Sequence, residues 1–378
     1  MHYLDYAATT PISPAVASAM TEALMKNFGN PSSQHSVGQK AQKLVEEGRS
    51  VIASALGCKS TQLYFTSGGT ESDNWAIRAA LHQNRRVGKH IITTAVEHNA
   101  VLQVMKALEQ EGYEVTYLKP DRTGRITVEQ IARALREDTA LISIMLVNNE
   151  IGTRYPVSET ATFLRIKQHP ALLHTDAVQA FLKVPFRAKD LGADYISISA
   201  HKVGGPKGIG ALYVGGKAKK PQPMFYGGGQ EFGLRSGTEP VAQIAGFAKA
   251  VELRVKDLDS ILSHTGSIRA YALDRLAAIP DLEVVGDGEA PHILAVSLPG
   301  YPSQNIVSDL DTRDIFVSAG SACHKGKASH VLTAMGLDKR VAAGTIRISF
   351  NEDTTRGNID ALYVALLLHK TSRFPMLD

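Results

Sequence analysis

The chain has 378 residues, 44% apolar and 21% charged, with a net charge of +4. That allows roughly two or three domains at ~150 residues each, with a core large enough to need no disulfide or metal staple, and no metal is expected. Lysine and arginine are spread along the chain, which argues against direct nucleic-acid binding, and no apolar run approaches the ~18–20 residues of a membrane helix.

The start, MHYLDYAATT, has neither the basic cluster nor the apolar stretch of a secretory signal. The two cysteines, Cys58 and Cys323, form no disulfide framework, so a reducing, cytoplasmic location is expected. Val37, Ala41, Leu44, Val45, Gly48, Ile52, Ala55 and Leu56 recur at a period near 3.6 and predict a long amphipathic helix. Short apolar runs follow at Leu63–Thr66, His90–Thr94, Glu114–Leu118, Leu141–Val147, Leu172–Thr175, Asp194–Ser199 and Ala211–Val214. Helical stretches separate most of them, so an α/β domain with a mainly parallel sheet of seven strands is expected. A Gly-rich stretch, Gly227–Gly237, leads into a helical stretch from Pro240 to Leu276. Strands near Ile293–Leu298 and Thr345–Phe350 then suggest a smaller α+β domain. The expected division is 14–257 for the large domain, and 1–13 with 258–378 for the small one.

Ligands of an open α/β sheet sit beyond the carboxyl ends of its strands, so residues just after those ends are examined first. Lys202 follows the run Tyr195–Ser199 and precedes Val203-Gly-Gly-Pro-Lys-Gly208. It is either a surface lysine or one that forms a Schiff base with an aldehyde cofactor. Asp176 ends another run about one strand–helix–strand unit earlier. It is either a helix cap or the carboxylate that keeps a cofactor ring nitrogen protonated. The turn Ser67-Gly-Gly-Thr-Glu-Ser72 joins a strand to a helix, where backbone N–H groups can meet a phosphate. Glu71 in that turn is expected to point away from such a phosphate. His98 follows a fourth strand and is either structural or a proton carrier stacked on a flat ring.

Taken in order, the motifs LDYAATTP, FGNPSS (28–33), FTSGGTESDN (65–74), HIITTAVEHNAV (90–101), VNNEIG (147–152), TDAVQA (175–180), SAHKVGGPKGIGALYV (199–214), GGGQEFGLRSGT (227–238), SAGSAC (318–323) and IRIS (346–349) give the chain its character. It resembles the cysteine desulfurases of pyridoxal-phosphate (PLP) fold-type I, in the class V aminotransferase group, over essentially its whole length. The resemblance implies that Lys202 holds PLP covalently, Asp176 pairs with its ring nitrogen, Gln179 bonds its ring oxygen, and His98 stacks on the ring and shuttles protons. Gly69, Thr70, Ser199 and His201 would hold the phosphate, with Thr238 contributed by a second subunit. Asn149 would lie beside the cofactor and Arg347 would clamp the substrate carboxylate.

Cys323 matches the family nucleophile, in a small-residue stretch followed by His324, Lys325 and Lys327, which favour the thiolate. The implied reaction turns L-cysteine into L-alanine and leaves a persulfide on Cys323. A protein acceptor or scaffold would take that sulfur, for iron–sulfur assembly or for thiolation of a cofactor or tRNA. Cys58 reads instead as a small buried hydrophobe. Departures from common relatives are Ala200, Val178 and Ala180, and a short spacer, His324–Ala328, which bears on the choice of acceptor. Two same-fold alternatives are a selenocysteine lyase and an aminotransferase, which do not all need Cys323. A catalytically silent partner subunit would be expected to lack Lys202 or Asp176.

Overall fold

The computed structural model describes residues 1–320, 329–373 and 375; the expected nucleophile Cys323 lies outside them. Twelve strands are present among the described residues, numbered in chain order: β1 (His2–Tyr3), β2 (Leu63–Thr66), β3 (His90–Thr94), β4 (Glu114–Leu118), β5 (Thr139–Ser143), β6 (Leu172–Asp176), β7 (Tyr195–Ser199), β8 (Gly210–Val214), β9 (Glu283–Val284), β10 (Ile293–Ser297), β11 (Ile315–Phe316) and β12 (Thr345–Ser349). Seven form one sheet in the order β2-β8-β7-β6-β5-β3-β4. Every pair in it is parallel except the two made by β8. The expected fold class is therefore the observed one.

This sheet is covered on both faces, which is why its strands read as continuous apolar runs rather than alternating ones. Successive residues point to opposite sides. Ile92, Ile142 and Leu173 pack on one side with Val45, Ile52 and Leu56 of the helix Ser36–Leu56 and with Phe247 and Val251 of the helix Val241–Lys256. Their neighbours Ile91, Leu141 and Leu172 pack on the other side with Trp75, Ile77 and Leu81 of the helix Gly69–Gln83. A separate cluster joins Leu4 to Leu294 and Val296 on β10, Ile346 and Ile348 on β12, and Leu362 and Leu366 on the C-terminal helix Arg356–Ser372. There β12, β10 and β9 form a three-stranded antiparallel sheet.

Two expected elements are corrected. The strand expected at Leu141–Val147 ends at Ser143. Beyond it the chain remains buried but leaves the ladder, with Leu146 N–H donating to the Asp176 carbonyl at 2.8 Å. The helical stretch expected from Pro240 to Leu276 is two helices, Val241–Lys256 and Leu258–Leu276, because Asp257 has non-helical backbone angles (φ −113°, ψ 15°).

Candidate active site

Because β8 alone opposes the others, the carboxyl ends of β2, β3, β5, β6 and β7 share one edge of the sheet. A cavity of about 310 Å³ opens there. Ten expected site residues line it: Gly69, Thr70, His98, Asn149, Asp176, Gln179, Ser199, His201, Lys202 and Arg347. Thr238 does not; it is exposed beyond the Gly-rich loop.

Lys202 sits one short helical turn past β7. Its Nζ donates to the carbonyl oxygens of Ala7 and Ala8, both at 2.7 Å. Burial, reinforced by Arg347, lowers its ammonium to about 8, although Asp176 and Asp5 act in the opposite direction. Asp176 ends β6, buried, with Oδ1 accepting from Val178 N–H at 2.8 Å. Burial and then the neighbouring Asp73 raise its carboxyl to about 7, against the opposing effect of His98. A carboxylate this poorly solvated is stabilised by a cationic partner placed against it.

His98 is the N-cap of the helix Asn99–Gln110, and its ring is open to the cavity. Its Nδ1 accepts from Ala100 N–H at 3.1 Å, so the neutral ring carries its proton on Nε2. Burial of the surroundings lowers its pKa, while Asp176 raises it.

The helix Gly69–Gln83 starts without a capping side chain among the described residues, and its first two residues, Gly69 and Thr70, line the cavity. A Cβ on Gly69 would lie 2.7 Å from Val178 Cγ2, so only glycine allows the approach. As expected, Glu71 turns away: its carboxylate accepts from Arg235 Nε at 2.8 Å and from Ser67 N–H at 3.0 Å. Ser199 and His201 complete this side of the cavity. The imidazole of His201 is pushed down to about 4 by burial and by Lys202.

Arg347 on β12 is buried. Its Nη1 donates to the Asn149 carbonyl at 2.7 Å and its Nη2 to Asp5 Oδ1 at 2.8 Å, while Nε has no partner among the described residues. Cys58 is half-buried against the core, and burial pushes its thiol up to about 12, which fits the inert reading.

Several groups at the site are not singled out by the linear reading. The carbonyls of Ala7 and Ala8 are backbone atoms, invisible to side-chain patterns. Asp73, Glu150 and His330 also line the cavity. Asp73, fully buried, is raised to about 7. Glu150 accepts from Ser329 Oγ at 2.5 Å. The ring Nε2 of His330 donates to the carbonyl of Glu97 at 3.0 Å. The one available signal for Asp73 and Glu150 was their place inside motifs already quoted, FTSGGTESDN and VNNEIG.

Comparison with known proteins identifies the family. Residues 2–362 match the family described as Aminotransferase class-V. The chain is 42% identical over 363 residues to the cysteine desulfurase IscS of Dictyoglomus turgidum, covering 95% of this chain and 91% of that protein. It is 40% identical over 364 residues to the cysteine desulfurase IscS of Methanosarcina thermophila, covering 95% and 89%. A solved NifS-like protein superposes with a TM-score of 0.91 at 35% identity, covering 98% of this chain and 99% of that one. With the fold, the strand-end lysine and aspartate, and these matches along nearly the full length, the chain belongs to the cysteine desulfurase family within the class V aminotransferases.

Proposed function

We propose that this cysteine desulfurase works with PLP held on Lys202, and that Cys323 takes the sulfur of L-cysteine and passes it to a protein acceptor. The observation that carries the reading is the convergence of Lys202, Asp176 and His98 on one cavity beside an uncapped helix N-terminus. The residues present fit the cofactor. The free N–H groups at Gly69 and Thr70, with Ser199 and His201, suit a phosphate. The buried Asp176 suits a protonated ring nitrogen, and Gln179 reaches the cavity to meet the ring oxygen.

Bound there, PLP supplies the electron sink for a carbanion at the substrate's α-carbon. The chain's own groups do the rest. Arg347, held by Asp5 and the Asn149 carbonyl, presents its remaining N–H groups to the substrate carboxylate. The amine of Lys202, lowered to about 8, and the ring of His98 accept and return the α-proton. Asp176 keeps negative charge against the ring nitrogen. The Cys323 thiolate forms a new S–S bond as the substrate's Cβ–S bond breaks; the electron pair moves to Cβ, which takes a proton, and the product is alanine.

The same reading takes the protein as a homodimer in which Thr238 completes the partner's phosphate site. Its support is the exposed position of Thr238, together with Phe225 and Tyr226, large apolar side chains of the same Gly-rich region left open to solvent. The two proposed structural units, 14–257 and 1–13 with 258–378, are supported by the separate apolar cluster built around β10 and β12 and by the helix break at Asp257. No described helix is long and apolar enough to cross a membrane, and the proposed location is cytoplasmic. The test is to supply L-cysteine and a reductant and measure alanine and sulfide together. Equal yields of the two support the reading, and pyruvate or keto-acid products without alanine overturn it.

A further inference from the structure

The side chain of Lys183 is buried, yet it lies outside the cavity and has no carboxylate partner among the described residues. Its Nζ donates, at 3.0 Å, to Oε1 of Gln179, itself buried on the cavity wall, and makes no other hydrogen bond among the described residues. The other end of that carboxamide, Nε2, donates to the Ala7 carbonyl at 2.8 Å. An amide has two acceptor lone pairs on oxygen and two N–H donors on nitrogen. A lysine head offers N–H donors whether charged or neutral, and the Ala7 carbonyl can only accept, so the two together turn the oxygen end of Gln179 toward Lys183. The nitrogen end is then turned the other way, with one N–H on Ala7 and the second uncommitted among the described residues.

Lys183 is costly where it stands. Burial lowers its pKa well below the usual lysine value, and Lys202, Arg254 and Arg347 act in the same direction, with Glu352 the one opposing charge. The neighbouring His292 is also buried; burial and then Lys183 lower its pKa well below the ordinary value, and it supplies no negative charge to offset the lysine. A lysine kept in such surroundings for stability alone would be better replaced by an apolar side chain of equal volume.

We propose that Lys183 is a positioning residue: it fixes the carboxamide of Gln179 so that an N–H, not the carbonyl oxygen, faces the phenolate oxygen of PLP. The inference rests on the cofactor reading above and adds a residue to it. A donor on that oxygen weakens its hold on a proton, so the arrangement lowers the pH at which the visible absorption of bound PLP changes. With Lys183 gone, the amide oxygen loses its donor and the Ala7 carbonyl alone holds the group, so the carboxamide can swing about that one bond and its second N–H is no longer fixed on the cavity side.

The experiment is a spectrophotometric pH titration of PLP-loaded wild type, Lys183→Met, Gln179→Ala and the double variant. Lys183→Met should raise the midpoint of the colour change by about one unit, a tenfold change in proton affinity. Gln179→Ala should raise it similarly, and the double variant should show no further rise, because one contact has been removed twice. Lys183→Arg, which keeps the donor, should stay near the wild-type midpoint. If Lys183→Met does not fold, Lys183→Gln, which retains an N–H of shorter reach, should give a smaller rise in the same direction. An unchanged midpoint in these variants overturns the proposal. So does a Lys183→Met shift that persists undiminished in the Gln179→Ala background, since Lys183 would then act through its charge. A wild type that takes up no PLP overturns the cofactor reading itself, and is distinguished by the absence of the visible band.

Discussion

Asp5 and Arg347 are 342 residues apart in the chain, yet Arg347 Nη2 donates to Asp5 Oδ1 at 2.8 Å. The N-terminal segment runs alongside β12, with Ser349 N–H on the Leu4 carbonyl at 2.8 Å and Ala7 N–H on Ser349 Oγ at 2.8 Å. From there it supplies the Ala7 and Ala8 carbonyls to Lys202 and the Thr9 hydroxyl to the His201 ring at 3.2 Å. A short stretch at the start of the chain thus touches four proposed site residues directly: Lys202, His201, Gln179 and the proposed substrate clamp Arg347. Asp5→Ala should loosen the guanidinium and raise the KM for L-cysteine about tenfold, the value of one charged hydrogen bond, with kcat changed less. Steady-state kinetics separates the two.

Lys202 is proposed to carry the cofactor, and its lowered pKa sets how fast the apoprotein takes PLP up. Attack on an aldehyde requires the neutral amine, whose fraction grows with pH until the pKa is passed. Because burial brings that value down to about 8, uptake should rise about tenfold per unit below pH 8 and level off above it, not continue toward 10. Stopped-flow absorbance reads the rate. After borohydride reduction, peptide mass mapping should find the cofactor on Lys202 and on no other lysine.

Asp176 gives a stability prediction with a definite sign. Its carboxyl is raised to about 7 in the folded chain, so the unfolded chain ionises it at lower pH than the folded one does. The penalty is absent below the ordinary carboxylate range, grows as pH rises from about 4 to 7, and is complete above that. In apoprotein, Asp176→Asn should therefore melt a few degrees higher than wild type at pH 8, the difference vanishing toward pH 4. In the PLP-loaded enzyme the same substitution should lower kcat by about 10²–10³-fold, because the proposed carboxylate partner of the ring nitrogen is gone. Differential scanning calorimetry and steady-state assays check the two halves.

Cys323→Ser tests the nucleophile separately from the cofactor chemistry. The variant should bind PLP with an unchanged spectrum and still exchange the α-proton of L-cysteine with deuterium, since the proposal assigns those steps to Lys202, His98 and Asp176. Persulfide formation and sulfide release should both disappear. Sulfide release at the wild-type rate would mark the protein as a simple lyase.

Thr238 tests the shared site. Two inactive variants, Lys202→Ala and Thr238→Ala, should regain activity when mixed and re-associated, because a heterodimer would contain one site with neither lesion. Activity near one quarter of wild type is the statistical expectation for random exchange with one working site per heterodimer. Light scattering that finds a fully active monomer would exclude the arrangement.

Much of the fold was open to a linear reading. Paired apolar neighbours such as Ile91-Ile92 and Leu172-Leu173 demand a sheet covered on both faces, and the spacing from Val37 to Leu56 demands a helix with one apolar side. Strand ends announce themselves through Asp176, Ser199 and the Gly68-Gly69 turn, because glycine and short polar side chains are what such junctions tolerate. Motif order along the chain was enough to attach a chemical role to each of those positions.

What tertiary structure alone decided is who meets whom. Asp5, Ala7 and Ala8 reach Lys202 and Arg347 only because the N-terminal segment is bonded along β12 beside the carboxyl ends of the main sheet. Backbone carbonyls have no side-chain signature, and contacts across hundreds of residues leave no periodicity. The pKa values of Lys202 and Asp176 were equally unreadable, since they come from the burial that surrounds each group and not from the residue type. The orientation of Gln179 is the clearest instance: its identity is written in the chain, but which end faces the cavity is set by a lysine and a carbonyl that folding brings to either side of it.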